Sequence, residues 1–314
     1  MKLAEAIDQY VDLKQSMGSR FHAEQVILKS FSKAMDDVGC EEVNPDRLYA
    51  YLSGAGPITR FFHRKYDAIS GFYRFAIGRG YAVRSPLPHF LPKPAYTFIP
   101  YIYSNDELQR LVNAATLQDH PRKKLQSLTL RTLILVLYGA GLRLSEAINI
   151  RLADVNLPDR LLTIRESKFY KTRVVPIGPR LTAVLAAYAK NCCHSAGSLN
   201  RDTLFFVTRD GERVTRQMAE RAFARLRDIT GVHRNDGARY QPRIHDFRGT
   251  FAVHRLISWY RQGVDVQRLL PQLSTYLGHV NIASTQKYLT MTPELLQEAS
   301  LRFELYATGG GNRD

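Results

Sequence analysis

The sequence has few cysteines and no long run of apolar residues. No stretch approaches the roughly eighteen uninterrupted apolar residues that suggest a membrane-spanning helix. The first ten residues, MKLAEAIDQY, carry charges where a secretory signal would be apolar. The three cysteines, Cys40, Cys192 and Cys193, are too few for a disulfide framework, because the adjacent pair is poorly placed to bond to each other. We therefore expect a cytoplasmic protein without a membrane partner.

Acidic residues are also in short supply. The 314 residues include 44 Lys and Arg against 29 Asp and Glu, which gives a formal net charge of +15. Residues 1–100 hold 13 of the basic and 10 of the acidic side chains, so most of the excess lies in the remainder of the chain. A surface that repels itself this strongly is typical of proteins that bind a polyanion. Nucleic acid is therefore favoured as the partner over an anionic membrane surface.

The length and the prolines indicate two domains. Chains of this size usually divide into two cores, and five prolines between Ser85 and Pro100 form a stretch that cannot stay helical. We place an N-terminal helical domain at 1–90, a linker at 91–103 and a second domain at 104–314.

Apolar periodicity predicts a mainly helical fold with a small β-sheet or hairpin. In the first domain, the helix at 58–77 places Arg60, Arg64 and Lys65 among aromatic residues, as either a solvated basic face or a DNA-facing one. In the second domain, two β-rich segments suggest a hairpin, and Leu128–Tyr138 suggests a buried central helix. The predicted segments are helices from Leu3 to near Gly18, from Val26 to 38–39, from Ser104 through Val112, and at 45–53, 58–77, 128–138, 179–193, 215–230 and 292–307, and strands at 161–166 and 172–177.

Five segments of the second domain carry a cation, an imidazole or a phenol without an obvious packing role. Each has a structural alternative, such as a salt bridge within GLRLSE or a solvated lysine at the hairpin tip. An i to i+3 spacing in RIHDFRGTF puts an imidazole and a guanidinium on one helical face. In LGHV, a helix-ending glycine leaves a histidine exposed. The candidates are Arg143 with Glu146, Lys168, His245 with Arg248, His279 after Gly278, and Tyr288.

Jointly and in this order, the five segments resemble the tyrosine recombinase family of phage-integrase type. The resemblance covers both domains: it implies a helical core-binding domain followed by a mixed α+β catalytic domain. One departure is Gly249, where many family members have a further histidine. The implied catalytic residues are Arg143, Lys168, His245, Arg248, His279 and the nucleophile Tyr288, with Glu146 in support.

The chemistry of DNA strand breakage explains these residue types. Cleavage of a phosphodiester needs a nucleophile, neutralisation of charge on the non-bridging oxygens, and a proton for the leaving 5′ oxygen. Guanidinium groups match phosphate oxygens, so Arg143 and Arg248, with the two histidines, are expected to neutralise that charge. His245 is the candidate base for Tyr288, and Lys168 the expected general acid. No cofactor or metal is implied; a metal site at Cys192, Cys193 and His194 has poor ligand spacing.

The implied partner is double-stranded DNA. Strand exchange between two duplexes uses four active sites, so the resemblance implies a homotetramer on paired sites, or assembly with sister recombinases. The C-terminal helix at 292–307 either packs on its own domain or docks into a neighbouring subunit. Phosphate contacts are expected from Arg60, Arg64, Lys65 and Arg216.

Two other functions remain open at this point. A type IB topoisomerase uses nearly the same groups and reseals the same strand, and an idle DNA-binding protein would retain only the fold. The complete set of six catalytic candidates argues against the idle protein. The interval from Arg248 to His279, which is long for the family, resembles that of recombinases carried by mobile elements. We therefore expect an enzyme that integrates, excises or transposes such an element. It is expected to act in the cytoplasm, in association with the nucleoid.

Overall fold

The computed structural model describes residues 1–19, 21–93, 100–117, 123–165, 172–192, 202–291 and 293–307. The chain divides into two compact units, Met1–Phe98 and Ile99–Asp314. The division falls within the range predicted as a linker. None of the described helices is both long and apolar enough to cross a membrane.

The described residues of the first unit form four helices, two of which begin with a side-chain cap. Asn44 accepts hydrogen bonds from the backbone N–H groups of Asp46 and Arg47, and Pro45 occupies the first helical position of the third helix. The Thr59 side chain caps the fourth helix by accepting from the N–H of Phe61. The helices are α1 (Leu3–Ser16), α2 (His22–Ala34), α3 (Pro45–Ser53) and α4 (Arg60–Gly78).

Aromatic side chains form much of the core of the first unit. Phe31 from α2 and Phe62, Phe72 and Tyr73 from α4 are almost completely buried. The Tyr73 hydroxyl donates to the carbonyl of Cys40, which satisfies a polar group inside the core. The aromatic side of α4 is therefore the packing side, as its amphipathic pattern predicts.

The second unit is helical around one small sheet. Its strands pair antiparallel in the order β1-β2-β3, with Leu162 opposite both Val155 and Val175. The predicted hairpin is present as β2 and β3; β1, only two residues long, is not predicted. The elements are α5 (Asn105–Leu117), α6 (Ser127–Gly139), α7 (Leu144–Ala147), β1 (Val155–Asn156), β2 (Leu161–Ile164), β3 (Arg173–Pro176), α8 (Pro179–Cys192), α9 (Arg216–Ile229), α10 (Asp246–Arg261), α11 (Val266–Leu277), α12 (Ala283–Gln286) and α13 (Pro293–Ala307).

Helix α6 is the central helix of the second unit, as predicted from its nearly continuous apolar sequence. Leu133, Ile134 and Val136 are completely buried, and the helix packs against α5, α8 and α10. A short turn with Gly141 in the left-handed region, at φ +60°, then leads into α7. This connection brings α7 beside α10 and the end of α11.

The apolar face predicted for the C-terminal helix is only partly buried. Of Leu295, Leu296 and Phe303, the first is completely buried, whereas the other two are 50% and 70% exposed. Helix α13 packs against α10 of the same chain, where Arg261 forms ion pairs with Glu294 and Glu298. Helical spacing shows which residues share a face, but not how much of that face a neighbour covers.

The turn at Gly141 should not tolerate a side chain. A Cβ there would lie 2.5 Å from Phe251 Cδ1, in addition to the strain of a positive φ. We expect Gly141→Ala to destabilise the second unit by about 2 to 5 kcal/mol, against about 1 to 2 kcal/mol for Gly211→Ala, where φ is also positive but space is open. The measurement is urea unfolding followed by fluorescence of Trp259, the single tryptophan, which lies in α10. Equal losses in the two variants would contradict the close packing at Gly141.

Candidate active site

The predicted pair Arg143 and Glu146 lies at the start of α7. Arg143 precedes the helix, and its backbone N–H donates to Glu146 Oε2 at 2.9 Å. Its Nη1 donates to Glu146 Oε1 at 2.6 Å, and its Nη2 to the Gly278 carbonyl at 3.3 Å. The Glu146 side chain is 5% exposed and that of Arg143 is 24% exposed. The arginine is thus held through both its backbone and its guanidinium, while about a quarter of its side chain stays exposed.

A second arginine, which the sequence analysis does not name, binds the same carboxylate. Arg173 of β3 donates from Nη1 and Nη2 to the two oxygens of Glu146, at 3.0 and 2.9 Å, and from Nε to the carbonyl of Tyr276 at 3.0 Å. The available signal is strand alternation, since Arg173 shares a face with the fully buried Val175. A charge on the inward face of a strand indicates a buried partner.

The predicted Arg248 is the most deeply buried of three arginines near Glu146. Its side chain is 4% exposed, and the distance from its Nη1 to Glu146 Oε2 is 3.9 Å. Nη1 donates to the Gly141 carbonyl at 2.8 Å and Nη2 to the Leu277 carbonyl. The spacing from His245 predicts that Arg248 lies on an exposed polar face. This prediction is wrong, because Arg248 is buried. It joins α10 to the two turns beside it.

The electrostatic balance around Glu146 is positive. Burial alone would raise the pKa of Glu146, but the hydrogen bond and charge of Arg173, followed by those of Arg143, lower it to about 2. Desolvation and then the charge of Arg143 lower the pKa of Arg248 to about 10, so it remains protonated at neutral pH. Three guanidinium groups thus surround one carboxylate, which leaves two positive charges for an anion to neutralise.

The end of α11 determines the position of His279. Gly278 takes the left-handed conformation that ends the helix, as predicted. His279 is half-buried rather than exposed, and its Nδ1 lies 2.7 Å from the hydroxyl of the completely buried Thr285. Desolvation, followed by the charges of Arg248 and Arg143, lowers the pKa of His279 to about 4. With this pKa the ring is neutral at pH 7, so it can offer a hydrogen bond.

Tyr288 lies beside His279 and α10. It belongs to a 3₁₀ turn at Lys287–Thr290, and its ring is stacked on that of His279 with centroids 6.1 Å apart and an interplanar angle of 25°. A Cβ at Gly249 would lie 3.7 Å from Tyr288 Cε1. The backbone of α10 therefore passes next to the predicted nucleophile, one residue after Arg248.

His245 immediately precedes α10 and is exposed. Partial desolvation, followed by the charges of Arg248 and Arg243, lowers its pKa from the ordinary value. The positive end of the α10 dipole acts in the same direction. Arg216, at the start of α9, also contributes to this lowering, so it lies within electrostatic reach of His245.

The remaining predicted site residues lie in the first unit or outside the described residues. Lys168, Cys193 and His194 lie outside the described residues. In the first unit, Arg60 is exposed and Arg64 is 3.5 Å from Glu24. No group of three or more His, Cys, Asp or Glu residues suited to a metal ion occurs within the described ranges.

Lys65 differs from the other predicted phosphate contacts. Its ammonium donates to the Tyr51 carbonyl and lies 4.3 Å from the centroid of the Tyr51 ring. Desolvation lowers its pKa. The charge is engaged within the first unit, so we expect Lys65 to contribute less to DNA binding than Arg60.

Comparison with protein-family models decides the family. The model of the phage integrase family matches residues 103–294, which is more than half of the chain. This chain belongs to the phage integrase family. It is a tyrosine site-specific recombinase, as predicted, and a type IB topoisomerase is not favoured.

Similar proteins extend this family assignment along the chain. The Sinorhizobium fredii protein y4rB, named as an integrase/recombinase, is 34% identical over 306 residues, which cover 96% of each chain. Tyrosine recombinase XerC of Chlorobaculum tepidum is 30% identical over 285 residues, covering 85% of this chain and 79% of that protein. The Tn1549 transposon integrase, solved with a circular intermediate DNA, has a TM-score of 0.70 at 14% identity, covering 96% of this chain and 99% of that chain. This last similarity concerns the fold.

The ion pairs of Glu146 should make the free energy of unfolding of this phage integrase family member depend on pH. The pKa of Glu146 is lower in the folded protein, at about 2, than its ordinary value of 4.5. Its ionised form therefore contributes stability above about pH 4.5, and this contribution is lost as the pH falls towards 2. We expect Glu146→Gln to cost about 3 kcal/mol at pH 7, and the unfolding free energies of variant and wild type to converge in acid.

The matched control is Glu212→Gln. Glu212 is 66% exposed and lies 3.6 Å from Lys124, so its replacement should cost under about 1 kcal/mol. Urea unfolding at a series of pH values, followed by Trp259 fluorescence, measures both variants. A difference between wild type and Glu146→Gln that stayed constant between pH 7 and pH 3 would contradict the role of the charge.

Proposed function

We propose that this recombinase cleaves and rejoins double-stranded DNA at specific sites with Tyr288 as the nucleophile. The observation that carries the proposal is the cluster of Arg143, Arg173 and Arg248 around Glu146, with the ring of Tyr288 stacked beside it on His279. The excess positive charge suits a phosphodiester, and the phenol is the adjacent nucleophile.

The arginines bind and polarise the scissile phosphate. Arg143 is the most exposed of the three and presents its guanidinium to the DNA. Arg248 retains donor groups beyond the two that hold the backbone, since a guanidinium carries five N–H groups. Loss of one such donor from a transition state costs about 3 to 4 kcal/mol, so Arg143→Ala or Arg248→Ala should nearly abolish cleavage.

Proton transfers complete the reaction. The neutral His245 accepts the phenolic proton, and the Tyr288 oxygen attacks the phosphorus. The bond between phosphorus and the 5′ oxygen breaks, and Lys168 donates the proton that the 5′ oxygen takes up. The product is a 3′-phosphotyrosyl link and a free 5′ hydroxyl. Attack by a 5′ hydroxyl of another strand reverses these steps, so no cofactor is required.

His279 acts as a hydrogen-bond donor in this scheme. We assign the Thr285 hydroxyl as the donor to Nδ1, at 2.7 Å. The proton of the neutral ring is then on Nε2, which is free to donate to a non-bridging oxygen. Thr285, which sequence reasoning missed, thereby sets the tautomer of the catalytic histidine.

We infer the assembly from this chemistry and the biological role from the similarity to a relative. Exchange of strands between two duplexes needs four active sites, which supports a tetramer of this chain on paired sites, or assembly with sister recombinases. The similarity to an integrase/recombinase over 96% of both chains supports action on a mobile element. Such an enzyme acts on cellular DNA in the cytoplasm, with the nucleoid.

The proposed phosphate contacts should be visible in the salt dependence of DNA binding. Each phosphate neutralised by the protein contributes about one unit to the slope of log affinity against log salt. We expect Arg216→Ala and Arg60→Ala each to reduce this slope by about one, measured by fluorescence anisotropy with a labelled duplex. Lys29→Ala, which removes an exposed cation paired with Asp8, is the control; a slope equally reduced in all three variants would contradict specific contacts.

The nucleophile is tested by trapping the covalent intermediate. Nicked duplexes that cover the ends of the element or locus encoding the protein are incubated with wild type and with Tyr288→Phe. Denaturing gels should show a protein-linked 3′ DNA end with wild type and none with the variant, because phenylalanine has no oxygen to attack phosphorus.

Tyr276→Phe is the matched control for this experiment. The Tyr276 hydroxyl donates to the Pro176 carbonyl at 3.2 Å, close to the same site, and its loss should leave the adduct in place. Strand exchange with a second duplex then separates recombination from simple resealing. Tight DNA binding by wild type without an adduct on these substrates would count against the proposed function.

A further inference from the structure

We propose that Arg173 is a positioning residue for strand cleavage, which fixes the Glu146 carboxylate and the turn at 276–278 and thereby orients Arg143. The proposal rests on the proposed function for its catalytic readout. Arg173 lies on β3, 27 residues from Glu146 and 103 from Tyr276, and it joins these segments through three hydrogen bonds. It is the point where the hairpin, α7 and the end of α11 meet.

The geometry assigns Arg173 to Glu146 rather than to DNA. All three of its nitrogens donate to protein oxygens, and its side chain is 12% exposed, against 24% for Arg143. Its two contacts with Glu146 form a bidentate pair, the arrangement with the greatest geometric specificity between arginine and carboxylate. The guanidinium of Arg143 approaches the same carboxylate through Nη1 alone, and the Arg143 backbone N–H donates to the other oxygen. Arg173 thus fixes the plane of the carboxylate, and Arg143 is oriented against it.

The turn next to Arg173 is shaped around its guanidinium. A Cβ at Gly278 would lie 2.8 Å from Arg173 Nη1, so a larger residue here would displace the guanidinium from its present position. The Gly278 carbonyl in turn accepts from Arg143 Nη2 at 3.3 Å. The residue after Gly278 is His279. Arg173 therefore hydrogen-bonds one support of Arg143, Glu146, and lies against the other, Gly278, which precedes the catalytic histidine.

The test is a double-mutant cycle on cleavage with Arg173→Met and Glu146→Gln. If Arg173 acts through Glu146, Arg173→Met should slow adduct formation about 100-fold in the wild-type background, as a displacement of about 1 Å in an active site can do. In the Glu146→Gln background, the same change should cost less than about 3-fold, because residues that act as a unit are non-additive. Arg173→Lys, which keeps one charge but not the bidentate pair, should recover part of the rate.

Arg165→Met is the matched control on the same hairpin. Arg165 follows β2 and donates to the buried carboxylate of Asp154, and within the described residues no hydrogen bond or ion pair joins it to the active-site arginines. Its loss should leave the cleavage rate within about 3-fold of wild type. Trp259 fluorescence during urea unfolding shows that each variant is folded, and Arg173→Lys serves if Arg173→Met is not. An equal loss of rate in both Arg→Met variants would reduce Arg173 to a general structural role.

Two further readouts separate the outcomes. The slope of log DNA affinity against log salt should be unchanged in Arg173→Met, and a slope reduced by about one would show instead that Arg173 contacts a phosphate. If wild type itself forms no adduct, the proposed function fails, but the unfolding cycle still tests the contact. There, Arg173→Met should cost much less stability at pH 7 in the Glu146→Gln background, and full additivity would overturn the inference.

Discussion

The buried carboxylate of Glu146 allows three guanidinium groups to occupy one small region of the protein. Arginines this close repel one another, and a buried charge without a partner is strongly destabilising. Glu146 contacts Arg143 and Arg173 directly and lies 3.9 Å from Arg248. The segments that carry these arginines are far apart in the chain, so the carboxylate also determines where α7, β3 and α10 meet.

This arrangement concentrates positive charge in guanidinium groups and keeps the histidines neutral. The pKa of Arg248 is lowered, but only to about 10, whereas the pKa of His279 is lowered to about 4 by desolvation and the nearby arginines. A neutral imidazole in such surroundings can accept a proton, as proposed for His245, or donate a hydrogen bond, as proposed for His279. The arginines thus supply the permanent positive charge, and their proximity keeps the imidazoles neutral.

The sequence predicted local features better than those formed by distant segments. Apolar periodicity located α6 and the hairpin, because such patterns depend on neighbouring residues alone. The motifs also named Arg143, Glu146 and Arg248 as a group. Arg173 was missed because its partners are 27 and 103 residues away. The strand β1 is only two residues long and has no periodicity to detect.

Charge states and burial were the least predictable features of the site. We expected an exposed His279, whereas the ring is half-buried beside Arg248 and Arg143. The spacing of His245 and Arg248 correctly indicated proximity, but not that Arg248 lies almost completely inside the protein. These properties depend on how α10, α11 and the turns around them pack together.

Most of the oxygens that hold the three arginines belong to the main chain, which affects how far the sequence around the site can change. Among the described contacts, four are main-chain carbonyls, and a single side chain, Glu146, supplies the others. The carbonyls belong to Gly141, Tyr276, Leu277 and Gly278. A main-chain oxygen does not depend on the identity of its own side chain, provided that the local backbone is kept, which at Gly141 and Gly278 requires glycine. Chains with this backbone can therefore change most of their surrounding residues and still present the same guanidinium groups to a phosphate.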